Sequence, residues 1–225
     1  MATVRLDTLR NDAYLAADQA DQTLCPPTEV NRYVNQSIRA LRRFLIENNA
    51  RDRLQTKTTI AVSQAGDDTY TLPSDFAYVV NVFWDAGVGR LLRMEECPSN
   101  ETEYTIPGGG WNFDYVVRYE LLQGSIRFIP APSASFTVTL KYVPQFADLA
   151  MDADTVELWD GLEEWVTKNA AMWMVGKEGD PEGRRAQLAQ ERDEVGRQIL
   201  ALWNRNRAEP RRVLDVYKPV GRWYY

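Results

Sequence analysis

DTVELWDGLEEWVTKNAAMWMVGKEGDPEGRRAQLAQERDEVGRQILALWNRN, residues 154–206, carries the longest helical pattern in the chain. Asp154 stands three residues before Glu157, the spacing at which a capping side chain and a returning carboxylate each satisfy a free backbone N–H at a helix start. Val156, Leu158, Leu162, Trp165, Val166, Ala170 and Trp173 recur mostly at three- and four-residue steps and line one broad helical face. Gly176 and Gly179 are expected to interrupt this helix. Asp180-Pro181 is expected to restart it, with the aspartate as N-cap and the proline at the first helical position, where its missing N–H costs nothing. Leu188, Val195, Ile199 and Leu202 give the second helix a narrower seam, with Trp203 beside its end. Two long helices joined by a short turn pack antiparallel as a hairpin, and neither buries its stripe alone.

The third element predicted to cover them is a helix over residues 29–49. Val30, Val34, Ile38, Leu41 and Leu45 step by four, four, three and four, with Tyr33 and Phe44 alongside. Thr28 is placed to cap it, and Pro26-Pro27 stops helix from running in from upstream. Residues 3–20 are expected to form a further helix, with Leu6, Leu9, Ala13 and Ala17 on one side. A helical body is therefore built from both ends of the chain, with the middle inserted.

That middle has a different period. Residues 56–62, TKTTIAV, are β-branched and alternating, as a strand with one buried face requires. Strands are also predicted over 70–72, 79–84, 90–93, 115–121, 125–129 and 136–143, with a short helical turn opening at Ser74-Asp75. Gln123-Gly124 supplies a tight hairpin turn and Pro130-Ala131-Pro132 a broader one. Residues 94–114 read as an extended excursion whose tip is Gly108-Gly109-Gly110-Trp111. These glycines suit a tight loop; no Lys-Ser/Thr follows them, so they do not match a phosphate cradle.

The fold class expected is α+β: a helical body made of an antiparallel helical hairpin and N-terminal helices, with an inserted antiparallel sheet or barrel-like region of five to seven strands and an extended C-terminal arm. The boundaries expected are 1–54 for the N-terminal helices, 55–147 for the β-domain, 148–208 for the hairpin and 209–225 for the arm.

Composition narrows the function. The 225 residues are 44% hydrophobic and 26% charged, which is ordinary for one large or two small globular domains. No apolar run approaches the roughly 18–20 residues that span a bilayer, so no membrane is expected. The opening residues lead into charge and not into a hydrophobic signal segment. Cys25 and Cys97 are few and far apart, as a reduced compartment allows. Net charge is −6, yet residues 148–200 hold thirteen Asp/Glu against six Lys/Arg, while residues 211–225 hold Arg211, Arg212, Lys218 and Arg222 against Asp215 alone. The arm ends in Trp223-Tyr224-Tyr225. Seven tryptophans and eleven tyrosines fit interfaces as well as core.

The chain contains no histidine, which removes imidazole bases, Ser-His-Asp and Cys-His nucleophiles and most zinc sites. Carboxylates are the remaining catalytic material. Glu95-Glu96 are adjacent, and neighbours in an extended chain point to opposite sides, which makes a poor acid–base couple for glycan cleavage. Asp160, Glu163 and Glu164 sit on a helix whose other side is apolar and are read as a solvated acidic surface. No catalytic residue, cofactor or metal is expected.

VNQSIR, residues 34–39, on the first long helix, and YTLPSDF, residues 70–76, followed by Val79-Val80-Asn81-Val82, resemble the head-to-tail adaptor proteins of tailed bacteriophages, closest to those of short-tailed phages. The resemblance covers about 28–206. It implies a structural virion protein at the head–tail junction, synthesised in the bacterial host cytoplasm, that assembles as a twelve-fold homo-oligomeric ring beneath the portal. The ring would continue the DNA channel without sequence-specific binding and offer a platform to tail nozzle or fibre proteins. Carried over by residue, Arg211, Arg212, Tyr217, Lys218, Arg222, Trp223, Tyr224 and Tyr225 form a portal-docking arm. Tyr70, Leu72, Pro73 and Phe76 form a structural turn joining the β-region to the helices. Gly108, Gly109, Gly110 and Trp111 are the candidate tail-facing loop. Asp160, Glu163 and Glu164 become candidate lumen-facing charges, since an acidic wall repels the DNA backbone whereas a basic stripe holds it.

Three other readings compete. A lower tail ring, or a receptor- or carbohydrate-binding tail module, would use Trp84, Tyr104 and Trp111, and burial of Trp84 against the sheet would weaken it. DNA binding would use Arg39, Arg42 and Arg43. A carboxylate-dependent hydrolase would use Glu96.

Overall fold

The computed structural model describes residues 2–19, 25–50, 54–62, 69–85, 91–97, 118–129, 136–158, 161–180 and 183–206. The fold is α+β, as the two periods demand, and the chain divides into two compact units: Met1–Ile38 with Leu149–Tyr225, and Arg39–Asp148.

The first unit holds strand β1 (Ala2–Arg5), helix α1 (Leu6–Ala16), the start of helix α2 (Pro27–Glu47), strand β10 (Thr155–Leu158) and helices α3 (Leu162–Glu178) and α4 (Arg184–Asn206). Helix α3 is its centre and packs against both α1 and α4. Leu162, Trp165, Val166, Ala170, Ala171, Met174 and Val175 are all buried, more of its circumference than a one-sided amphipathic helix encloses. Leu6, Leu9, Ala13 and Tyr14 of α1, Val30, Val34 and Ile38 of α2, and Leu188 and Ile199 of α4 complete this core.

Several local expectations are corrected here. Residues 155–158 are not the first turn of a helix. They form β10, antiparallel to β1 in the register Ala2↔Leu158 to Arg5↔Thr155. The Asp154 carboxylate accepts hydrogen bonds from the amides of Ala150 (2.7 Å) and Met151 (2.8 Å), so it closes the turn before the strand and caps no helix. The predicted first helix likewise loses residues 3–5 to β1. Thr28 lies inside α2, which already includes Pro27. Gly176 does not interrupt α3, which runs through it to Glu178 and ends on Gly179 at φ +91°. Trp173 and Leu202, assigned to buried stripes, are 47% and 60% exposed.

The second unit contains β2 (Thr56–Val62), β3 (Thr69–Thr71), β4 (Phe76–Asp85), β5 (Leu91–Arg93), β6 (Glu95–Glu96), β7 (Arg118–Leu122), β8 (Ser125–Ile129) and β9 (Phe136–Pro144). They form two four-stranded sheets, β2-β9-β4-β5 and β3-β8-β7-β6, where a sheet or barrel-like region of five to seven strands was expected. Pairing is antiparallel throughout the described residues except for β6 with β7. Val79, Val82, Val138, Leu140 and Tyr142 from the first sheet and Tyr119, Ile126 and Phe128 from the second share one core with Met94. Met94 sits where the chain leaves β5 of one sheet to become β6 of the other, its amide donating to the Val82 carbonyl (2.9 Å). Ser74-Asp75 is a turn that opens strand β4, not a helical turn.

Candidate functional site

The VNQSIR stretch works as a set of clamps. The Asn35 amide donates to the Leu149 carbonyl and its oxygen accepts from the Leu149 N–H, both at 2.9 Å, so one buried side chain satisfies both backbone groups of the residue re-entering the helical unit. Ser37 Oγ accepts from Asn169 Nδ2 (2.9 Å), and Asn169 Oδ1 accepts from Arg192 Nη1 (2.9 Å), which joins α2, α3 and α4 through a buried polar chain. The Arg192 guanidinium lies 5.6 Å from the Trp165 ring centroid. In the second unit, Arg39 grips both oxygens of Asp148 (2.5 and 2.6 Å). Arg42 donates to the Pro144 carbonyl and lies over the Phe146 ring. Two of the three arginines proposed for DNA are therefore engaged by partners within the chain, Arg39 at the surface and Arg42 half-buried, and Arg43 is exposed without such contacts among the described residues.

YTLPSDF is a sheet-to-sheet corner. Tyr70 lies in β3, its ring 5.5 Å from Phe128. The Leu72 amide donates to the Gly124 carbonyl, and the Phe76 amide donates to the Pro73 carbonyl. Phe76 then opens β4 and stacks on Tyr142 at 5.8 Å. The Asp75 carboxylate accepts from the Tyr142 hydroxyl (2.9 Å), while its carbonyl accepts from the Gln145 amide (2.5 Å). The stretch holding Tyr70, Leu72, Pro73 and Phe76 carries the chain from β3 of one sheet to β4 of the other, where a turn from the β-region to the helices was expected.

The acidic candidates do not share one environment. Asp160 lies outside the described residues. Glu163 is half-buried, with Oε2 enclosed and without a hydrogen-bond partner, and its charge adds to partial desolvation in pushing the Asp12 carboxyl up. Glu164 is exposed but paired with Lys168 (3.3 Å), which also holds Glu191 (2.6 Å). The Lys168 hydrogen bond keeps the Glu191 carboxyl below its usual range. Two cationic anchors tie the rest of the helical unit. Arg10 makes two hydrogen bonds to Asp152 (2.5 and 3.1 Å), and Lys177 reaches Glu29 (2.5 Å), which also accepts from the Tyr33 hydroxyl (2.7 Å).

Gly108, Gly109, Gly110 and Trp111, and the arm from Arg211 to Tyr225, lie outside the described residues. Trp84 is half-buried and packs on the β core, which weakens a carbohydrate platform built on it. Glu95 and Glu96 are both exposed on β6 and form no ion pair among the described residues. They line a slot of about 410 Å³ together with Val79, Val80, Asn81 and Arg93. Sequence reasoning missed this slot because it is made by one event, the transfer of the chain from β5 to β6 at Met94. It also missed the Ser37–Asn169–Arg192 chain, although two small polar residues set into apolar helical stripes were its signal. Among the described residues no group of three or more metal-ligating side chains is gathered, and no helix is long and apolar enough to cross a membrane.

Over residues 1–214 the chain matches the family model described as SU10 adaptor protein. The match spans both units, and the chain belongs to that family of phage adaptor proteins, which points to a structural and not a catalytic role. No curated protein matches it.

Proposed function

We propose that this member of the SU10 adaptor family forms a twelve-fold ring beneath the portal, at the head–tail junction of a short-tailed particle. The ring continues the DNA channel and presents a platform for tail nozzle or fibre proteins. The observation that carries this is the family match over 1–214, which takes in the helical unit and the β unit together. A closed ring needs two different faces on every subunit, and the helical unit supports that need by exposing Leu15 (68%), Met151 (71%), Trp173 and Leu202 to solvent. The arm, with Arg211, Arg212, Tyr217, Lys218, Arg222 and Trp223-Tyr224-Tyr225, docks on the portal through charge-assisted and aromatic contacts. Within the surplus of Asp and Glu in 148–200, the face bearing Asp160, Glu163 and Glu164 lies towards the channel and keeps DNA sliding; Gly108–Trp111 points towards the tail.

Electron microscopy of the chain mixed with purified portal rings tests this, comparing full-length protein with a form ending at Pro210. Full-length chain is expected to add a twelve-fold ring to the portal and the shortened form to fail. If neither binds, the portal contact is wrong and a lower tail ring takes its place.

A further inference from the structure

The slot in the β unit is bounded by two strand edges. Among the described residues, strand β5 pairs along β4 only with Phe83, Trp84 and Asp85, and the Met94 amide on Val82 is the last bond before the chain departs. Val79, Val80 and Asn81 therefore have no strand beside them on that edge among the described residues. Across the gap, β6 pairs with β7 and with no other strand among the described residues. Backbone N–H and C=O groups on such edges are a template for an added strand. The side chains at the mouth choose which strand: Glu95 and Glu96 stand exposed, and Arg93 is beside them. Charge on an edge normally guards it against pairing, and two glutamates against one arginine leave this mouth net acidic, which favours a basic strand over an acidic one.

We propose that this slot takes, as an added strand, residues 211–218 of a second copy of the chain. The segment RRVLDVYK lies between Pro210 and Pro219, which bound it as prolines bound strands. Val213, Val216 and Tyr217 give it strand propensity, and its charge is complementary: Arg211, Arg212 and Lys218 against Asp215. Arg211 and Arg212 meet Glu95 and Glu96. Each copy thus offers a strand and a slot on different parts of its surface, which is the head-to-tail contact a ring needs. In this arrangement the part of the arm that docks on the portal narrows to Arg222 and Trp223-Tyr224-Tyr225, while Arg211, Arg212, Tyr217 and Lys218 engage the neighbouring copy. The supply of the strand by a second copy rests on the ring reading above; the slot and its ligand do not.

The probe is a fluorescently labelled peptide of residues 209–220. The receptor is the full-length chain carrying Arg211→Glu and Arg212→Glu, so that its own tail does not compete. Anisotropy is expected to saturate. A second receptor, the full-length chain with Glu95→Lys and Glu96→Lys and its own Arg211 and Arg212 kept so that its tail is again repelled, should bind the peptide about tenfold or more weakly, the effect of replacing attraction with like-charge contacts. A peptide with Glu at 211 and 212 should recover binding to the lysine-bearing receptor, and circular dichroism checks that both receptors are folded. No saturation, or equal binding to both receptors, overturns the proposal. In a second arm, the full-length chain with Arg211→Glu and Arg212→Glu is mixed with the full-length chain carrying Glu95→Lys and Glu96→Lys alone. Assembly that is lost in each and restored in the mixture supports the contact between copies. Peptide binding without any ring on the portal would sink the ring reading and leave the slot assignment standing.

Discussion

Asn169 shows how one polar residue fixes a helical core. It is 6% exposed and uses its amide nitrogen on Ser37 and its oxygen on Arg192, so α2, α3 and α4 share one hydrogen-bonded chain. Replacing it with alanine leaves the buried Ser37 hydroxyl and one nitrogen of the part-buried Arg192 guanidinium without this partner, and a buried group left unpaired costs about 1–3 kcal/mol. Asn169→Ala should lower the urea midpoint of the helical unit, followed by tryptophan fluorescence, by that amount. Ser37→Ala should cost less, since Asn169 keeps Arg192. A second comparison concerns two tryptophans eight residues apart. Trp165, 5% exposed, should lose about 3–5 kcal/mol on truncation to alanine. Trp173→Ala should stay within about 0.5 kcal/mol, as surface substitutions do. Helical spacing put both on one buried face. What exposes Trp173 is tertiary: the adjoining residues Ala171, Met174 and Val175 are the ones turned inward there, while Arg185 of α4 lies 6.0 Å from its ring. Periodicity names a stripe, but the partner beside each turn decides how far the stripe stays covered.

At the scale of elements, most of the β unit was legible because strands there are local signals: 56–62 and 125–129 were placed as they stand, and Gln123-Gly124 makes the turn between β7 and β8. The missed strands are those whose reason is distant. Residues 155–158 read equally well as a capped helix start or as the strand alternation Thr-Val-Glu-Leu, and the choice is made by β1 at the other end of the chain. No spacing within 154–206 contains that information. The two glycines of α3 make a sharper case. Both read as interruptions, yet Gly179 sits at φ +91° as the C-cap, while Gly176 is a helix-interior residue where an added Cβ would lie 3.5 Å from the Arg185 guanidinium, in ordinary contact. Their alanine variants should move stability in opposite directions. Gly179→Ala forces a side chain into the left-handed region and should cost about 1–2 kcal/mol. Gly176→Ala removes the glycine entropy penalty inside a helix and should gain about 0.5–1 kcal/mol, since the arginine tip can shift. Thermal melts of the two variants decide it, and melts that fall together would mean that α3 does not run through Gly176.

For the whole molecule, the distribution of perturbed carboxylates predicts how the fold responds to acid. Four in the helical unit are held below their ordinary range: Glu29 by Lys177 and then Tyr33, Asp152 by Arg10, Asp154 by the Met151 and Ala150 amides, and Glu191 by Lys168. A carboxyl with a lower pKa in the folded chain contributes stability that is present above its unfolded pKa and disappears as pH falls through the folded value. Asp12 has the opposite sign, because its pKa is raised by desolvation and by Glu163; its contribution is present below the unfolded pKa and lost as pH rises through the folded one. Four groups therefore weaken the fold on acidification and one strengthens it, so the Tm of the helical unit should fall steadily from pH 5 to pH 3. The three pairs that span separate elements, Glu29–Lys177, Asp152–Arg10 and Glu191–Lys168, should carry most of that slope. A chain with Glu29→Gln, Asp152→Asn and Glu191→Gln is expected to melt lower than the native chain at pH 7 and to show a much shallower fall below pH 5, while Asp12→Asn should raise the Tm at pH 7 and leave the acid slope steeper. Circular dichroism melts at half-unit steps of pH read both effects. An acid slope unchanged in the triple variant would place the titrating groups elsewhere and remove these pairs from the account of what holds the two ends of the chain together.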